Sequence, residues 1–416
     1  MKISLNSQIF LGALLGILLG SLFSNLGTDN SITQSGLYVS ELIGSIFIDL
    51  LKMILVPLVF TSIAVGVANL RVHQQMHRVW IATLLFFVSS MAIAILLGLG
   101  AANLFEPGKG LSLDLFHNAL QHFESKQMDV HEFIRHFLHS LFINPFAALA
   151  QSNILAIVIF ALFVGIAIVV GGDRYRNLLV LLQEILELTL KIVAWIMRLS
   201  PLGILALLAQ LIANQNLALL ASLAKFVAVV LGTTFLHGFI VLPLILFIMT
   251  GKRPLWFLRN AREALLTAFA TSSSSATLPV TLRCAQQRLH VNADIAGFVI
   301  PLGATVNMDG TALYEAAAAL FIANLTGVEL DLTQQLIVFA TAMIAAIGAP
   351  GIPSAGMVTM VMVLQAVGLP AEAIAILLPI DRLLDTLRTL VNVEGDMVGS
   401  LIVQKVTQQP RSTVLP

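Results

Sequence analysis

The sequence predicts an all-α polytopic membrane protein that also folds back into the bilayer at two re-entrant helical hairpins. Its mean hydropathy is +0.95. Charged residues make up only 11% of the 416 residues, whereas soluble domains carry roughly a quarter. The hairpins are predicted from two apolar segments that are interrupted in the middle, one by serines and one by prolines and glycines.

Apolar stretches that approach or exceed the ~20 residues of a membrane-spanning helix follow one another along the chain. Several are longer than one straight span needs, which predicts tilted or broken helices. We interpret the N-terminal stretch as the first spanning helix, because no small-residue cleavage site followed by a soluble domain appears. The stretches fall at about 8–25, 38–70, 79–105, 150–171, 177–213, 218–250, 263–282, 294–325, 333–370 and 372–404.

Charge and cysteine counts exclude several classes of site. Lys+Arg and Asp+Glu both total 22, so net charge indicates no particular partner and no nucleic acid. A single cysteine, Cys284, excludes an intramolecular disulfide framework and a CxxC metal site. The one long polar insertion, 106–145, holds five histidines without a recurring ligand spacing. An exposed amphipathic loop is therefore favoured over a metal site.

Basic residues predict the orientation of the segments, since cytoplasmic loops are enriched in Lys and Arg. Alternate loops are basic, and those at 26–37 and 209–217 carry no Lys or Arg, so both termini are expected in the cytoplasm. The alternation fails at 263–282, which has basic residues on both flanks. We therefore predict a hairpin at about 256–290 that enters from the cytoplasm, with TSSSSATLP (271–279) at its tip.

The segment 333–370 predicts a second hairpin. The loop before it carries Glu329 and Asp331, and its middle reads GAPGIPSAG (348–356). A continuous helix through those prolines and glycines would lose several hydrogen bonds. Irregular backbone at membrane depth is tolerated where it is buried in protein or lines a cavity. Two interrupted segments of opposite orientation indicate a central binding site of the kind that inverted repeats build.

The last apolar segment contains DRLLDTLRTLVNVEGD (381–396), whose polar residues share one helix face. At about 100° per residue, that face covers roughly 80° and leaves Arg382 and Glu394 outside it. Charges at membrane depth cost ~2.5–3.5 kcal/mol each, which indicates function. A carboxylate can bind an ammonium, a guanidinium a carboxylate, and an unpaired carboxylate a hard cation. These roles suit Asp385, Arg388 and Asp396; a purely structural Asp385–Arg388 pair is the alternative. The face comprises Asp381, Asp385, Arg388, Asn392 and Asp396.

A second polar motif, GATVNMDGTALYE (303–315), lies deep in an apolar segment. Gly310 is expected to loosen the helix there, so that oxygens of Asn307 and Asp309 can hold a dehydrated Na⁺. Met308 is interpreted as packing, because a thioether is a poor ligand for a hard ion. Glu315 lies about 240° around the helix from Asp309. It is a candidate proton carrier, with a neutral buried acid as the alternative.

In this order, TSSSSATLP, NMDGT, GAPGIP and DTLRTLVNVEGD closely resemble the dicarboxylate/amino acid:cation symporter family, which includes the glutamate and aspartate transporters. The resemblance covers essentially the whole chain. It implies eight transmembrane helices plus two opposed re-entrant hairpins, a homotrimer, and an inverted-repeat, elevator-type mechanism. A scaffold and trimerisation domain would comprise 1–70 and 150–213. The transport domain would comprise 71–149 and 214–416, with hairpins at about 256–290 and 333–370.

The resemblance also implies a substrate site. The position of Arg388 holds the side-chain carboxylate of the substrate, and that of Asp385 holds its amino group. The rest of the implied site consists of side chains on two helices and of residues at both hairpin tips, namely Ser272, Ser273, Ser274, Thr311, Gly351, Ile352, Pro353, Thr389 and Asn392.

Three cation sites are implied in the same way. One would use positions Gly303, Asn307, Asn392 and Asp396. Another would use Thr305, Met308 and the backbone of Ala346, Ile347 and Ala349. A third would use Asn307, Asp309 and a hydroxyl of the third helix, from Ser89 or Ser90. The chain lacks the arginine that some family members carry at Ser272 and others at Thr386, but it keeps Glu315, as the proton-coupled members do.

We therefore expect a symporter, not an enzyme, that imports glutamate or aspartate across a cell inner membrane with Na⁺ as the coupling ion and no other cofactor. An anionic substrate entering against an inside-negative potential costs about 2.3 kcal/mol per 100 mV, which predicts at least two cations per substrate. A proton-coupled symporter is an alternative. A C4-dicarboxylate carrier would leave Asp385 without an ammonium, and a neutral amino acid carrier would not need Arg388.

Two alternatives come from other classes of protein. An intramembrane serine protease is disfavoured because no GxSxG elbow surrounds the serines. An aspartyl protease could draw a dyad from Asp309 and Asp396. A passive channel is disfavoured because two opposed hairpin tips suit an occluded site rather than a continuous pore.

Overall fold

The computed structural model describes residues 5–27, 30–68, 77–110, 139, 142–151, 154–214, 217–351 and 353–407, and each regular element within these ranges is a helix. The α-helices are α1 (Leu5–Leu26), α2 (Ser31–Ala68), α3 (His77–Phe105), α4 (Pro145–Ala150), α5 (Ile154–Gly171), α6 (Arg176–Met197), α7 (Ser200–Asn214), α8 (Leu217–Leu236), α9 (Leu242–Thr250), α10 (Pro254–Thr271), α11 (Ser274–Arg283), α12 (Ala293–Val306), α13 (Asp309–Thr326), α14 (Leu332–Gly348), α15 (Ala355–Ala366) and α16 (Ile374–Thr407).

Length and hydropathy mark three of the described helical stretches as able to cross a membrane: Ser7–Leu26, Arg78–Phe105 and Ala221–Thr250. A fourth is added if the pair Ile159–Met197 and Ser200–Gln210, bent by 52°, counts as one span. The bend lies at the start of α7, beside Pro201, and it divides the apolar segment predicted at 177–213 into two helices. An all-helical, multi-pass membrane protein is the architecture that these helices build.

Helices α1, α2, α5, α6 and α7 pack against one another. Three glycines at four-residue spacing let α1 lie directly on the backbone of α7. A Cβ at Gly12, Gly16 or Gly20 would fall 2.3–2.7 Å from a carbonyl oxygen of α7. Small residues at helix crossings in membranes allow such close approach, and dispersion attraction between the touching backbones holds the helices together.

The remaining long helices surround α16, which contacts α3, α9, α10, α12 and α13. The first turns of α16, up to Leu384, belong to one apolar core together with α2, α13, α14 and α15. From Leu390 onward the helix belongs to a second core, formed with α10 and α12. Its polar residues Asp385, Arg388 and Thr389 therefore lie where the two cores meet.

The helix containing the NMDGT motif is broken, although not where the sequence predicted. Helix α12 ends at Val306 and α13 begins at Asp309, so the break falls at Asn307–Met308 rather than at Gly310. Gly310 instead lies in the first turn of α13, where a Cβ would be 2.6 Å from the carbonyl oxygen of Arg388. Its role is thus to let α13 approach α16.

Another irregularity lies between α8 and α9, which form one rod interrupted by a π-turn at His237–Val241. Pro243, near the start of α9, cannot donate a backbone hydrogen bond to the preceding turn. A π-turn is one way for a helix to absorb such a defect, and it re-aims the side chains that it carries.

Helices α10 and α11 form the first hairpin, with Ser272 at its tip in the left-handed region (φ +49°). Helix α11 begins within the serine run, at Ser274. Ser273 caps it: its Oγ accepts a hydrogen bond from the backbone N–H of Ala276 at 3.1 Å, which favours a start at this point. Helices α14 and α15 form the second hairpin, which starts with a capping box between Asp331 and Gln334.

Candidate functional site

The tips of the two hairpins contact each other. The hydroxyl of Ser273 donates to the carbonyl oxygen of Gly351 at 2.6 Å, and the backbone N–H of Ser275 donates to the same oxygen at 3.0 Å. A Cβ at Gly351 would lie 2.6 Å from Ser275 Oγ and 2.7 Å from the carbonyl oxygen of Ala304. Only glycine fits at this junction, which brings the serine run and the GAPGIP motif together as one wall of the site.

The neighbouring tip residues are arranged around this contact. Ser272 and Ser274 are buried beside it, and Pro353 is half-buried on the second hairpin. Ile352, which the resemblance also assigns to the substrate site, lies outside the described residues. The half-helix α11 begins at the tip, so its first backbone N–H groups and its dipole favour a carboxylate there.

Arg388 lies completely buried between the two apolar cores. Its Nη2 donates to Asp381 Oδ1 at 2.6 Å and to Asp385 Oδ1 at 3.0 Å, and its guanidinium lies 4.0 Å from the centre of the Tyr314 ring. Nε and Nη1 have no hydrogen-bond partner among the described residues. Two carboxylates thus hold Nη2 in place, while Nε and Nη1 remain available as donors to a further carboxylate.

Nη1 of Arg388 faces Gly356. A Cβ at Gly356, in the first turn of α15, would lie 3.4 Å from Arg388 Nη1 and 3.0 Å from Thr311 Cγ2. The absence of a side chain there leaves space between α13, α15 and α16. Thr389 is buried on the same face of α16.

Asp385 connects α16 to the second hairpin. Its Oδ2 accepts a hydrogen bond from the backbone N–H of Ser354 at 2.8 Å, while Arg382 Nη1 lies 3.6 Å away. The helical wheel placed Arg382 outside the polar face, but its long side chain reaches back to Asp385. The predicted face therefore gains a second guanidinium.

Asn392 binds the start of α13. Its Oδ1 accepts from the backbone N–H of Gly310 at 2.8 Å, and its Nδ2 donates to Thr311 Oγ1 at 3.3 Å. Thr311 and Asn392, 81 residues apart in sequence, are thereby brought next to Arg388.

A second polar network joins Ser90 of α3, Asn307 and Asp309 at the break between α12 and α13, and Asp396 of α16. Ser90 Oγ is 3.1 Å from Asp309 Oδ1 and 3.3 Å from Asn307 Oδ1, and Asn307 Nδ2 donates to Asp396 Oδ1 at 3.2 Å. Ser89 and Ser90 were the two candidates for the hydroxyl of the third helix. Ser89 is exposed and donates to the carbonyl oxygen of Leu85 within its own helix. Ser90 is the hydroxyl that α3 directs to this network.

Gly303 permits the closest approach in the network. A Cβ there would lie 2.1 Å from Asp396 Oδ1, so the carboxylate rests directly against the backbone of α12. Carboxylate, amide, hydroxyl and carbonyl oxygens are the ligands of hard cations. Within the described ranges, no group of three or more His, Cys, Asp and Glu side chains could hold a metal ion. The oxygens of Asn307, Asp309, Asp396 and Ser90 are of the ligand type that hard cations prefer.

The other positions assigned to a cation flank the junction of α12 and α14, which pack together. Thr305 is half-buried and its hydroxyl donates to the Leu302 carbonyl of its own helix at 3.0 Å. Met308 is buried in the first apolar core. The end of α14 supplies Ala346, Ile347 and Ala349.

Glu315 is buried and lies away from Asp309. Its Oε1 accepts a hydrogen bond from Thr359 Oγ1, on α15, at 2.5 Å, and its Oε2 has no partner among the described residues. The carboxyl group thus joins α13 to the second hairpin.

Two polar residues at this site were not predicted from the sequence. His237, in the π-turn, places Nε2 3.0 Å from Asp309 Oδ2. It is the only histidine within an apolar segment, which was the available signal. Glu394 is buried, with neither carboxylate oxygen partnered among the described residues, and a Cβ at Gly238 would lie 3.2 Å from its Oε2. Glu394 was not predicted as a site residue because it lies outside the polar face of α16.

A buried polar site between two contacting hairpin tips, inside an apolar helical protein, defines a membrane transporter. The family model of the sodium:dicarboxylate symporter family matches residues 5–406, and the chain belongs to this family. It is accordingly a transporter and not an enzyme.

Individual relatives extend the comparison. The chain is 35% identical to excitatory amino acid transporter 3 of Mus musculus over 413 residues, which cover 88% of the chain and 79% of that protein. It is 31% identical over 460 residues to the putative sodium-dependent excitatory amino acid transporter glt-4 of Caenorhabditis elegans, covering 98% and 91%. It is 35% identical over 422 residues to the neutral amino acid transporter B(0) of Oryctolagus cuniculus, covering 94% and 77%.

Proposed function

We propose that the protein imports an acidic amino acid, glutamate or aspartate, together with Na⁺. The observation that carries this proposal is the buried Arg388. Its Nη2 is held by Asp381 and Asp385, whereas its Nε and Nη1 have no partner among the described residues. Relatives named excitatory amino acid transporter and neutral amino acid transporter both resemble the chain. A buried guanidinium with two unused N–H donors, Nε and Nη1, favours a substrate with a side-chain carboxylate, because a neutral side chain would leave those donors unpaired.

The substrate would engage both sides of the site. Its side-chain carboxylate would accept from Nη1 of Arg388, which faces the space at Gly356, and its ammonium would bind Asp385. Its α-carboxylate would lie at the positive end of the α11 dipole, between Ser272–Ser274 and Gly351–Pro353. Thr311, Thr389 and Asn392 complete the polar lining. A C4-dicarboxylate has no ammonium for Asp385, which is why it remains the lesser candidate.

The second polar network, which contains Asn307, Asp309 and Asp396, would bind co-transported cations. Asp396, Asn392, Asn307 and the backbone at Gly303 form one candidate Na⁺ site. Asn307, Asp309 and Ser90 form another, and Thr305 and Met308 with the backbone of Ala346, Ile347 and Ala349 form a third. A buried carboxylate such as Asp396, whose hydrogen bond comes from a neutral amide, needs a compensating positive charge, which supports coupling to cations. Glu315 is the candidate group for H⁺ if protons contribute.

The transport movement would be an elevator motion within a homotrimer. The mutual packing of α1, α2 and α5–α7 supports a scaffold of 1–70 and 150–213, and the helices around α16 support a moving domain of 71–149 and 214–416. Eight spans are obtained from α1, α2, α3, α5, bent α6–α7, α8–α9, α12–α13 and α16, with the two hairpins re-entering from opposite faces. Both termini would lie in the cytoplasm.

Reconstitution in liposomes tests this function. Uptake of labelled aspartate, glutamate, serine and succinate is measured under imposed Na⁺, H⁺ and K⁺ gradients. We expect saturable uptake of the acidic amino acids that requires external Na⁺ and is electrogenic, because at least two cations accompany each substrate. Acidic uptake that persists when choline replaces Na⁺, and that a protonophore abolishes, would establish proton coupling instead. Preferential uptake of serine or succinate would refute the assigned substrate.

A further inference from the structure

A cavity of about 60 Å³ lies behind the tip of the second hairpin. One wall is formed by α15 with the residue stretch before it and by the beginning of α16. The opposite wall is formed by α1, α2, α6 and α7. Its apolar lining includes Ile9, Phe47, Ile204, Met357, Val358 and Val361. Pro353 borders both this cavity and the proposed substrate site. Thr311, Arg388 and Asn392 do not line the cavity, so the two spaces are adjacent but distinct.

The polar end of the cavity carries a carboxylate with an unused oxygen. Asp381 lines the cavity and is 2% exposed. Its Oδ1 accepts from Arg388, whereas its buried Oδ2 has no hydrogen-bond partner among the described residues. Such an oxygen is costly to leave unpaired at membrane depth, so a donor that reached it would be favourably bound.

We propose that this cavity is a second binding site that takes a small amphipathic primary amine. The ammonium group donates to Asp381 Oδ2, and a short apolar body packs against Ile204, Met357 and Val361. A single water needs about 10–15 Å³ of such space, so 60 Å³ accommodates a chain of roughly four or five heavy atoms. Arg382 also lines this end of the cavity, but its Nη1 lies 3.6 Å from Asp385 Oδ2, which offsets its charge, so Asp381 Oδ2, unpartnered in the described part of the chain, disfavours an anion. The apolar walls provide too few oxygens for a metal cation.

Occupancy of the cavity has a consequence for transport that rests on the proposed function. The two walls belong to the proposed scaffold and to the proposed moving domain. The cavity exists in this form only while these walls face each other as they do here. A ligand that binds only this arrangement stabilises it. The amine therefore lowers the maximal rate of uptake.

Direct binding to the purified full-length chain tests the site without requiring transport. The probe is 3-fluoropropylammonium, which has five heavy atoms, followed by fluorine NMR line broadening, with 1-butanol and butyrate as competitors. We expect n-butylammonium to displace the probe at least tenfold more effectively than 1-butanol, and butyrate not to displace it. Saturating aspartate should leave probe binding intact.

Substitutions locate the binding. Ile204→Phe and Val361→Phe fill the cavity from opposite walls, and each should reduce probe affinity at least tenfold. Leu202→Phe, on the exposed side of α7, is the matched control and should not. Asp381→Asn keeps the shape and should remove the preference for ammonium over alcohol. Melting curves identify any filling variant that fails to fold, in which case the other variant carries the test.

The outcomes separate this site from the proposed function. Loss of probe binding in a folded filling variant, with binding retained in Leu202→Phe, supports the site even if the protein proves to carry another substrate. Probe binding that survives both filling variants, or that aspartate displaces, overturns it. In liposomes, n-butylammonium should lower the maximal uptake rate of the wild type but not of Ile204→Phe; equal inhibition of both would overturn the link to transport.

Discussion

At the scale of single residues, the selectivity of this protein is concentrated in how Arg388 is held. Asp381 and Asp385 neutralise and orient the guanidinium from one side, and Tyr314 packs against its face. A guanidinium fixed in this way has little rotational freedom left to lose when it binds a carboxylate. The cost of ordering the site is met during folding, before substrate arrives.

Replacing the guanidinium should therefore change the substrate. In Arg388→Cys, we expect aspartate uptake to fall by about two orders of magnitude or more, since two charge-assisted hydrogen bonds of about 1.5–3 kcal/mol each are lost. Uptake of a small neutral amino acid such as serine should be retained or gained. The measurement is competitive uptake in liposomes, and Leu383→Cys, exposed on the same helix, is the control. Unchanged aspartate affinity would contradict the assignment.

A single methyl group should disturb the proposed cation site. In Gly303→Ala, the new Cβ would overlap Asp396 Oδ1, which lies 2.1 Å from its position. The carboxylate must move, so we expect the apparent affinity for Na⁺ to fall at least tenfold while the chain still folds. Gly297→Ala, in the same helix, has no neighbouring atom within 4 Å and should retain wild-type affinity. The Na⁺ dependence of aspartate binding distinguishes the two.

At the scale of elements, broken helices and close helix crossings shape the molecule. The interruptions at Asn307–Met308, at the two hairpin tips and at the π-turn each release backbone polar groups, which are tolerated at this depth only because other helices surround them. The crossing of α1 over α7 follows the opposite principle, since three glycines remove side chains so that backbones touch.

The hairpin tip contact should depend on one serine. In Ser273→Ala, both the hydrogen bond to Gly351 and the cap on α11 are lost, so we expect substrate affinity to fall about fivefold, corresponding to ~1 kcal/mol. Ser275→Ala keeps its backbone hydrogen bond to Gly351 and should have little effect. Isothermal titration with aspartate in saturating Na⁺ provides both values. Equal losses in the two variants would show that Ser273 has no special role.

The glycine crossing should limit stability rather than transport chemistry. Gly16→Leu places a side chain where a Cβ already lies 2.6 Å from the Leu205 carbonyl, so we expect a loss of about 1–3 kcal/mol and a lower melting temperature. Gly100→Leu, in α3, has open space around it and is the matched control. A Gly16→Leu variant that melts with the wild type would show that the crossing contributes little.

At the scale of the whole molecule, the proposed movement requires that α2 and α14 separate. The Cβ of Ile63 lies 3.9 Å from the position of a Cβ at Gly348, which matches the spacing across a disulfide. Ser62 also donates to the Gly348 carbonyl at 2.8 Å. These contacts join the proposed scaffold to the proposed moving domain.

Cross-linking this pair should stop transport. In a Cys284→Ala background, oxidation of Ile63→Cys/Gly348→Cys should abolish aspartate uptake, and a reductant should restore it. Gly238→Cys/Val391→Cys is the matched control, because the Cβ of Val391 lies 3.8 Å from the position of a Cβ at Gly238 and both residues belong to the proposed moving domain, so its oxidation should leave uptake intact. Uptake that survives complete cross-linking of the first pair would contradict the proposed domain movement.

The interrupted segments and the polar face of α16 could be predicted from the sequence because both depend on local chemistry. The clustered serines of TSSSSATLP and the clustered prolines and glycines of GAPGIPSAG disfavour a continuous helix locally. A 100° turn per residue aligns Asp381, Asp385, Arg388, Asn392 and Asp396 in any α-helix. The break expected at Gly310 was misplaced, because that glycine serves a contact with α16 rather than a local loosening.

What the sequence by itself determined is therefore the helical, membrane-embedded architecture and the residues available for the site. Only the tertiary structure decided which groups meet those residues: Ser90 rather than Ser89 beside Asp309, His237 on the other oxygen of Asp309, and the backbone N–H of Ser354 on Asp385. It also left Glu394 buried with no partner in the described part of the chain. The physical reason is that helix periodicity fixes only the direction of a side chain. At membrane depth, the group that satisfies it comes from another helix, and helix packing selects that group.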